Sequence, residues 1–194
     1  MYKRGFKSWC ENTSAALRTE LKLGTADPLD PRKLASHLDI LVWKLEEIPG
    51  IPAECVAVLQ ADSDSWSAAT VCVGMRHAVI LNSGHSAARM NSDFMHELSH
   101  LVLAHTAARV DVSNDGILLL SSYNRAQEEE ANWLSGALLL PRDALFNIRK
   151  KQLTDESACR LYGCSQDMLT FRFRVTAVDL QLKRSRPYKG RRRS

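Results

Sequence analysis

The residues of this chain best suited to chemistry are His96-Glu97-Leu98-Ser99-His100. Phe94, Met95, Leu98, Leu101, Val102 and Ala104 surround them, so the segment is expected to be a helix that is apolar on nearly every side and buried. Four residues carry a helix about 40° past one full turn, which puts His96 and His100 on one face. Two imidazoles so placed can grip a tetrahedral zinc ion through bonds of about 2.0–2.1 Å. Glu97 sits one step round the helix, too offset to be a ligand but near enough to take a proton from activated water. Two histidines and a glutamate in a buried helix each need a partner, and one zinc ion satisfies all three.

Two histidines leave a catalytic zinc one protein ligand short. The extended motif with a third histidine would need glycine at 103 and histidine at 106, where this chain has Leu103 and Thr106. His105 is out of register and is expected at the helix end, exposed or capping. The third ligand is therefore expected from the next helix, which contains Glu128-Glu129-Glu130-Ala131-Asn132. Periodicity alone does not choose between Glu128 and Glu130; the two glutamates of the three that are not ligands are expected to be an ordinary acidic first turn favoured by the helix dipole. The small neighbours Ala131, Asn132 and Ser135 favour Glu128, and Asn132 one turn on could accept a hydrogen bond from a ligand imidazole. The expected set is one zinc ion per chain held by His96, His100 and Glu128, with Glu97 catalytic. Tyr123 and Arg142 are the candidates for stabilising an oxyanion.

The elements that must position these residues read as follows. Phe6, Trp9, Cys10, Thr13, Leu17 and Leu21 share a helix face ending near Gly24. Asp30-Pro31 caps and opens a short helix, and residues 40–43 read as a strand. Residues 46–54, with Pro49, Gly50 and Pro52, read as a loop. Residues 68–73 and 77–81 form a predicted hairpin, whose second strand offers an edge to an extended peptide. The motif helix is expected over about 92–105, capped by Ser92 or Asn91. A polar loop follows over 111–116, then a helix over 124–140 stopped by Pro141 and two short helices near 154–162 and 165–174. The fold class is α+β, a small antiparallel sheet packed on the motif helix and further helices.

The length of 194 residues suits one domain, and 45% hydrophobic with 25% charged residues excludes wholesale disorder. The net charge of +4 belongs to the C-terminus. Seven basic residues follow Leu182, and removing them from 26 leaves 19 against 22 acids. Such a tail, residues 183–194, is expected to be flexible, with at most weak contact to nucleic acid. Five cysteines without a Cys-x-x-Cys pair fit reduced thiols. No apolar run suits a membrane span or a secretory signal, so the expected compartment is the cytoplasm.

With His96-Glu97-Leu98-Ser99-His100, Glu128-x-x-Ala131-Asn132 and Leu138-Leu139-Leu140-Pro141, the chain resembles the ImmA/IrrE-type (DUF955) metallopeptidases of bacteria and their mobile elements. The resemblance runs from about Pro28 to Val175 and includes Leu34-Ala35, Val79-Ile80-Leu81-Asn82 and Arg89. It departs at Ser99, where glycine is common, and at Leu140, where methionine is common. It implies a gluzincin-like fold, with His96, His100 and Glu128 as zinc ligands and Glu97 as the catalytic glutamate. It also implies a substrate: a helix-turn-helix repressor encoded nearby, whose cleavage derepresses stress-response or mobile-element genes. The expected divisions are an N-terminal helix and linker (1–27), the peptidase domain (28–150), a helical pair (151–182) and the tail. Two other readings are a DNA-binding regulator and a protein that sequesters a repressor uncut. The first would use the helix-turn-helix-like segment 157–169 with Arg172, Arg174 and the tail on phosphates.

Overall fold

A computed structural model of the chain describes residues 2–48, 50–61, 66–73, 76–105, 109–112, 118–121 and 124–185. Helix α1 (Phe6–Glu20) opens at Gly5 and buries Cys10, Ser14, Leu17 and Arg18, a stripe at helical spacing. Helix α2 (Pro31–His37) starts as the sequence predicts, the Asp30 carboxylate accepting from Arg32 N at 2.9 Å. Strand β1 (Leu41–Lys44) then runs into a 3₁₀ turn at Leu45–Glu47.

The expected loop over 46–54 is shorter than read, because Pro52 leads into a further helix, α3 (Ala53–Ala61). None of its residues is buried, so it has no apolar stripe for periodicity to detect. Strands β2 (Ala68–Val73) and β3 (Arg76–Leu81) form the predicted antiparallel hairpin, with Val73 opposite Arg76. The sheet is mixed, however, in the order β1-β3-β2, since β1 joins β3 in parallel. The central strand is thus β3, and its edges are both taken. Among the described residues, the unpaired edge beside the hairpin belongs to β2.

Helix α4 (Ala87–Val102) carries the motif and starts five residues before the expected position. Its cap is Ser86, which accepts from Arg89 N; Ser92 and Asp93 lie within the helix. Phe94, Met95 and Leu98 are buried between the sheet and helix α5 (Arg125–Leu139). Ser99, in the place of the more usual glycine, is buried and turns its hydroxyl onto Met95 O at 2.7 Å. Between α4 and α5 stands a hairpin of β4 (Arg109–Val112) and β5 (Leu118–Ser121). Asp111 and Val112, expected in a polar loop, are therefore strand residues; 113–116 lie outside the described residues.

Asn124 caps α5 through Ala126 N and Gln127 N. Pro141 ends α5 and also opens helix α6 (Arg142–Lys150), as proline can where first-turn N–H groups need no intrahelical partner. Helices α7 (Asp155–Tyr162), α8 (Gln166–Thr176) and α9 (Val178–Ser185) complete the described chain. Buried residues from Cys10 to Val178 form one hydrophobic cluster. Among the described residues no helix is long and apolar enough to cross a membrane.

Two features tie the N- and C-terminal helices to this core. From α1, Ser14 Oγ donates to Ala137 O at 2.7 Å and Arg18 Nη2 to Leu138 O at 2.6 Å. From α8, the fully buried Arg172 donates through Nε to Leu140 O at 2.8 Å and through Nη2 to Glu11 Oε1 at 2.6 Å. Gly136 leaves room for that guanidinium stem, since a Cβ there would lie 2.6 Å from Arg172 Cδ.

Leu98 lets the packing around α4 be measured. Leu98→Ala is expected to destabilise the chain by about 2–5 kcal/mol in urea unfolding, and Leu98→Met by less than about 1.5 kcal/mol.

Candidate metal centre

Helices α4 and α5 pack side by side, and their facing turns bring His96, His100 and Glu128 together. His96 Nε2 lies 3.0 Å from Glu128 Oε2 and 3.0 Å from His100 Nε2. His100 Nε2 lies 3.5 Å from Glu128 Oε1. Neighbouring ligand atoms around a tetrahedral zinc at 2.0–2.1 Å stand about 3.4 Å apart, so the spacing suits one such ion. The His96 ring is held from behind by Asn132, whose Oδ1 is 3.1 Å from His96 Nδ1. That bond places the hydrogen on Nδ1 and leaves the inward Nε2 with its lone pair. The donor set and its orientation fit a divalent metal.

Glu97 turns away from this trio toward the sheet, where its Oε2 accepts from Thr70 Oγ1 on β2 at 2.6 Å. Burial pushes its carboxyl above the usual range; the Thr70 hydrogen bond and His96 pull the other way, and Glu128 and Asp93 add to the rise. Such a carboxylate has enhanced proton affinity, which suits a general base. Burial also pushes the His100 imidazole down to about 4, with His96 beside it adding to the effect. It is neutral near pH 7, as a metal ligand must be.

The structure corrects two sequence expectations at this site. His105 is neither exposed nor a simple cap: its side chain is only 7% exposed. Its Nδ1 lies 3.0 Å from His100 Nδ1 and its Nε2 3.2 Å from Glu130 Oε2. Helical register misplaces it because α4 ends at Val102 and Ala104 adopts φ 51. The closing bonds His105 N to His100 O and Ala104 N to Leu101 O form the reversal that ends many helices. It folds His105 back under His100. Glu130, expected as an ordinary first-turn acid, is the partner of that ring, whereas Glu129 pairs with Arg125.

Of the two oxyanion candidates, Tyr123 lies outside the described residues. Arg142 donates to Thr176 O and Gln181 Oε1, joining α6 to the α8–α9 corner. The helix-turn-helix-like corner is present: Gly163 at φ 60 closes α7 and Ser165 caps α8. Arg172, expected as a phosphate contact in that reading, is buried on Leu140 O and Glu11. The first turn of α8 docks on α4 through Ser165 N and Ser92 Oγ at 3.0 Å. Asp167 and Met168 there share with His96, Asn132 and Tyr2 the wall of an open cleft of about 740 Å³. Of the basic tail, residues 186–194 lie outside the described residues.

Asn132→Leu removes the group that orients His96. It is expected to weaken metal binding about 10–100-fold, measured by chelator competition, with secondary structure unchanged.

No curated protein matches the chain. A family model does: Peptidase_M78, the IrrE N-terminal-like domain, matches residues 56–176. That span runs from within α3 through α8 and takes in the Thr70 strand, the motif helix and Glu128. With more than half its length matched and a metal-competent trio inside the matched span, the chain belongs to the Peptidase_M78 family of IrrE N-terminal-like domains.

Proposed function

We propose that the protein is a cytoplasmic zinc endopeptidase that cuts a helix-turn-helix repressor encoded nearby, so derepressing stress-response or mobile-element genes. The observation that carries the reading is the convergence of His96 Nε2, His100 Nε2 and Glu128 on one point, with the Glu97 carboxylate on the same turn of α4. His96, His100 and Glu128 would hold the ion. Zinc supplies Lewis acidity toward water and the scissile carbonyl.

The remaining chemistry falls to side chains of the chain. Glu97 takes a proton from the attacking water at its carboxylate and delivers it to the leaving amine nitrogen. Thr70 fixes one oxygen of that carboxylate, which leaves the other for the water. An extended peptide fits by main-chain pairing along β2, whose outer edge beside Glu97 is unpaired among the described residues. The cleft of about 740 Å³ continues from His96 and gives room for several flanking side chains.

The test is co-expression with the neighbouring repressor, followed by assay of the purified pair. Repressor fragments are expected with about one zinc ion per chain, lost with a chelator and restored by added zinc. A zinc-loaded protein that leaves the repressor whole overturns the substrate; a protein that takes up no zinc overturns the enzyme reading.

A further inference from the structure

We infer that His105 is a positioning residue for the metal centre, joining the ligand His100 to the Glu130 carboxylate through one defined pair of imidazole tautomers. The inference rests on the zinc reading above. It begins with His100, whose Nε2 faces His96 Nε2 and Glu128. A nitrogen that ligates a metal carries no hydrogen, so the hydrogen of His100 sits on Nδ1. That Nδ1 lies 3.0 Å from His105 Nδ1, and two ring nitrogens at this distance share one hydrogen. His100 therefore donates and His105 Nδ1 accepts.

The hydrogen of His105 is then on Nε2, 3.2 Å from Glu130 Oε2, where a carboxylate accepts it. With His100 Nε2 given to the metal, no other placement of the two hydrogens satisfies both His105 ring nitrogens. The His105 side chain is itself only 7% exposed, which favours these two bonds over bonds to water. The result is a relay from carboxylate to imidazole to ligand imidazole. It fixes the plane of the His100 ring and strengthens its inward lone pair.

Helix α5 thus reaches the centre in two ways: Glu128 directly, and Glu130 through His105. The two ligand histidines are supported unequally. His96 leans on the neutral amide of Asn132, and His100 on a carboxylate one ring away.

The experiment uses the full chain with zinc as the only probe. Long-range proton–nitrogen NMR of the zinc-loaded protein is expected to show His105 protonated on Nε2 and His100 on Nδ1. Zinc affinity by chelator competition is expected to fall about 10–100-fold in His105→Phe. His105→Gln offers an acceptor to His100 and a donor to Glu130, and is expected to stay within about threefold of wild type. A residue that only fastened the helix end would change melting temperature in both variants and leave zinc affinity alone.

His105 protonated on Nδ1, or His105→Phe holding zinc as tightly as wild type, overturns the relay and leaves the zinc reading standing. Wild-type protein that takes up no zinc overturns both. If His105→Phe does not fold, the tautomer measurement on wild type decides.

Discussion

Glu97→Gln is expected to lower repressor cleavage by at least about 10²–10⁴-fold while leaving the metal content unchanged. The substitution keeps size and shape, and the amide oxygen can still accept the Thr70 hydroxyl bond seen at 2.6 Å. What it removes is the site for a proton. Burial raises the proton affinity of the Glu97 carboxyl, so it suits both halves of the transfer, uptake from water and delivery to the amine. Metal analysis of the purified variant beside a fragment assay makes the measurement. Full cleavage by Glu97→Gln would place the base elsewhere. Full derepression without any cleavage would favour a protein that sequesters its target.

A large effect on stability, of electrostatic origin, is expected at Arg172. Its guanidinium is wholly buried, and burial pushes its pKa below the ordinary value although Glu11 opposes the shift. Arg172→Met leaves Leu140 O without its donor and the Glu11 carboxylate without its countercharge. Breaking such a pair costs about 3–5 kcal/mol, or roughly 6–20 °C in melting temperature for a chain of this size. The lower end of that range is expected, because Glu11 also accepts from Arg142 N. Nη1 of Arg172 is buried without a hydrogen-bond partner among the described residues, so the native arrangement already carries a penalty. The double variant Glu11→Gln with Arg172→Met is therefore expected to recover much of the loss. A melting temperature unchanged by Arg172→Met would show that the buried pair contributes nothing.

How much of this was legible beforehand depended on whether a residue's role is set by local spacing. The motif helix and the approach of Glu128 to its histidines could be read because i,i+4 geometry and small neighbours act within one or two turns. The Asn132 bond to His96 follows from the same short-range logic. Asp30-Pro31 marked α2 for the same reason. The start of α4 was misplaced because Ser86 and Ser92 are chemically equal as caps, and only Ser86 precedes Ala87-Ala88-Arg89-Met90, which extend the helix. Helix α3 has no buried stripe to betray it, and α6 is masked because the proline that ends α5 also opens the next helix. The parallel placement of β1 is a long-range pairing that no local pattern encodes. His105 is the most instructive miss. A single left-handed residue, Ala104, decides where it points, and alanine gives no hint of that conformation.

The bonds from Ser14 and Arg18 into the last turn of α5 have a practical consequence. The matched span begins at residue 56, so a shortened chain cut there would look like the whole catalytic unit. It would instead lose the donors that satisfy Ala137 O and Leu138 O, and strip cover from the far end of the rod that presents Glu128. Such a fragment would be expected to aggregate rather than stand as a smaller stable domain.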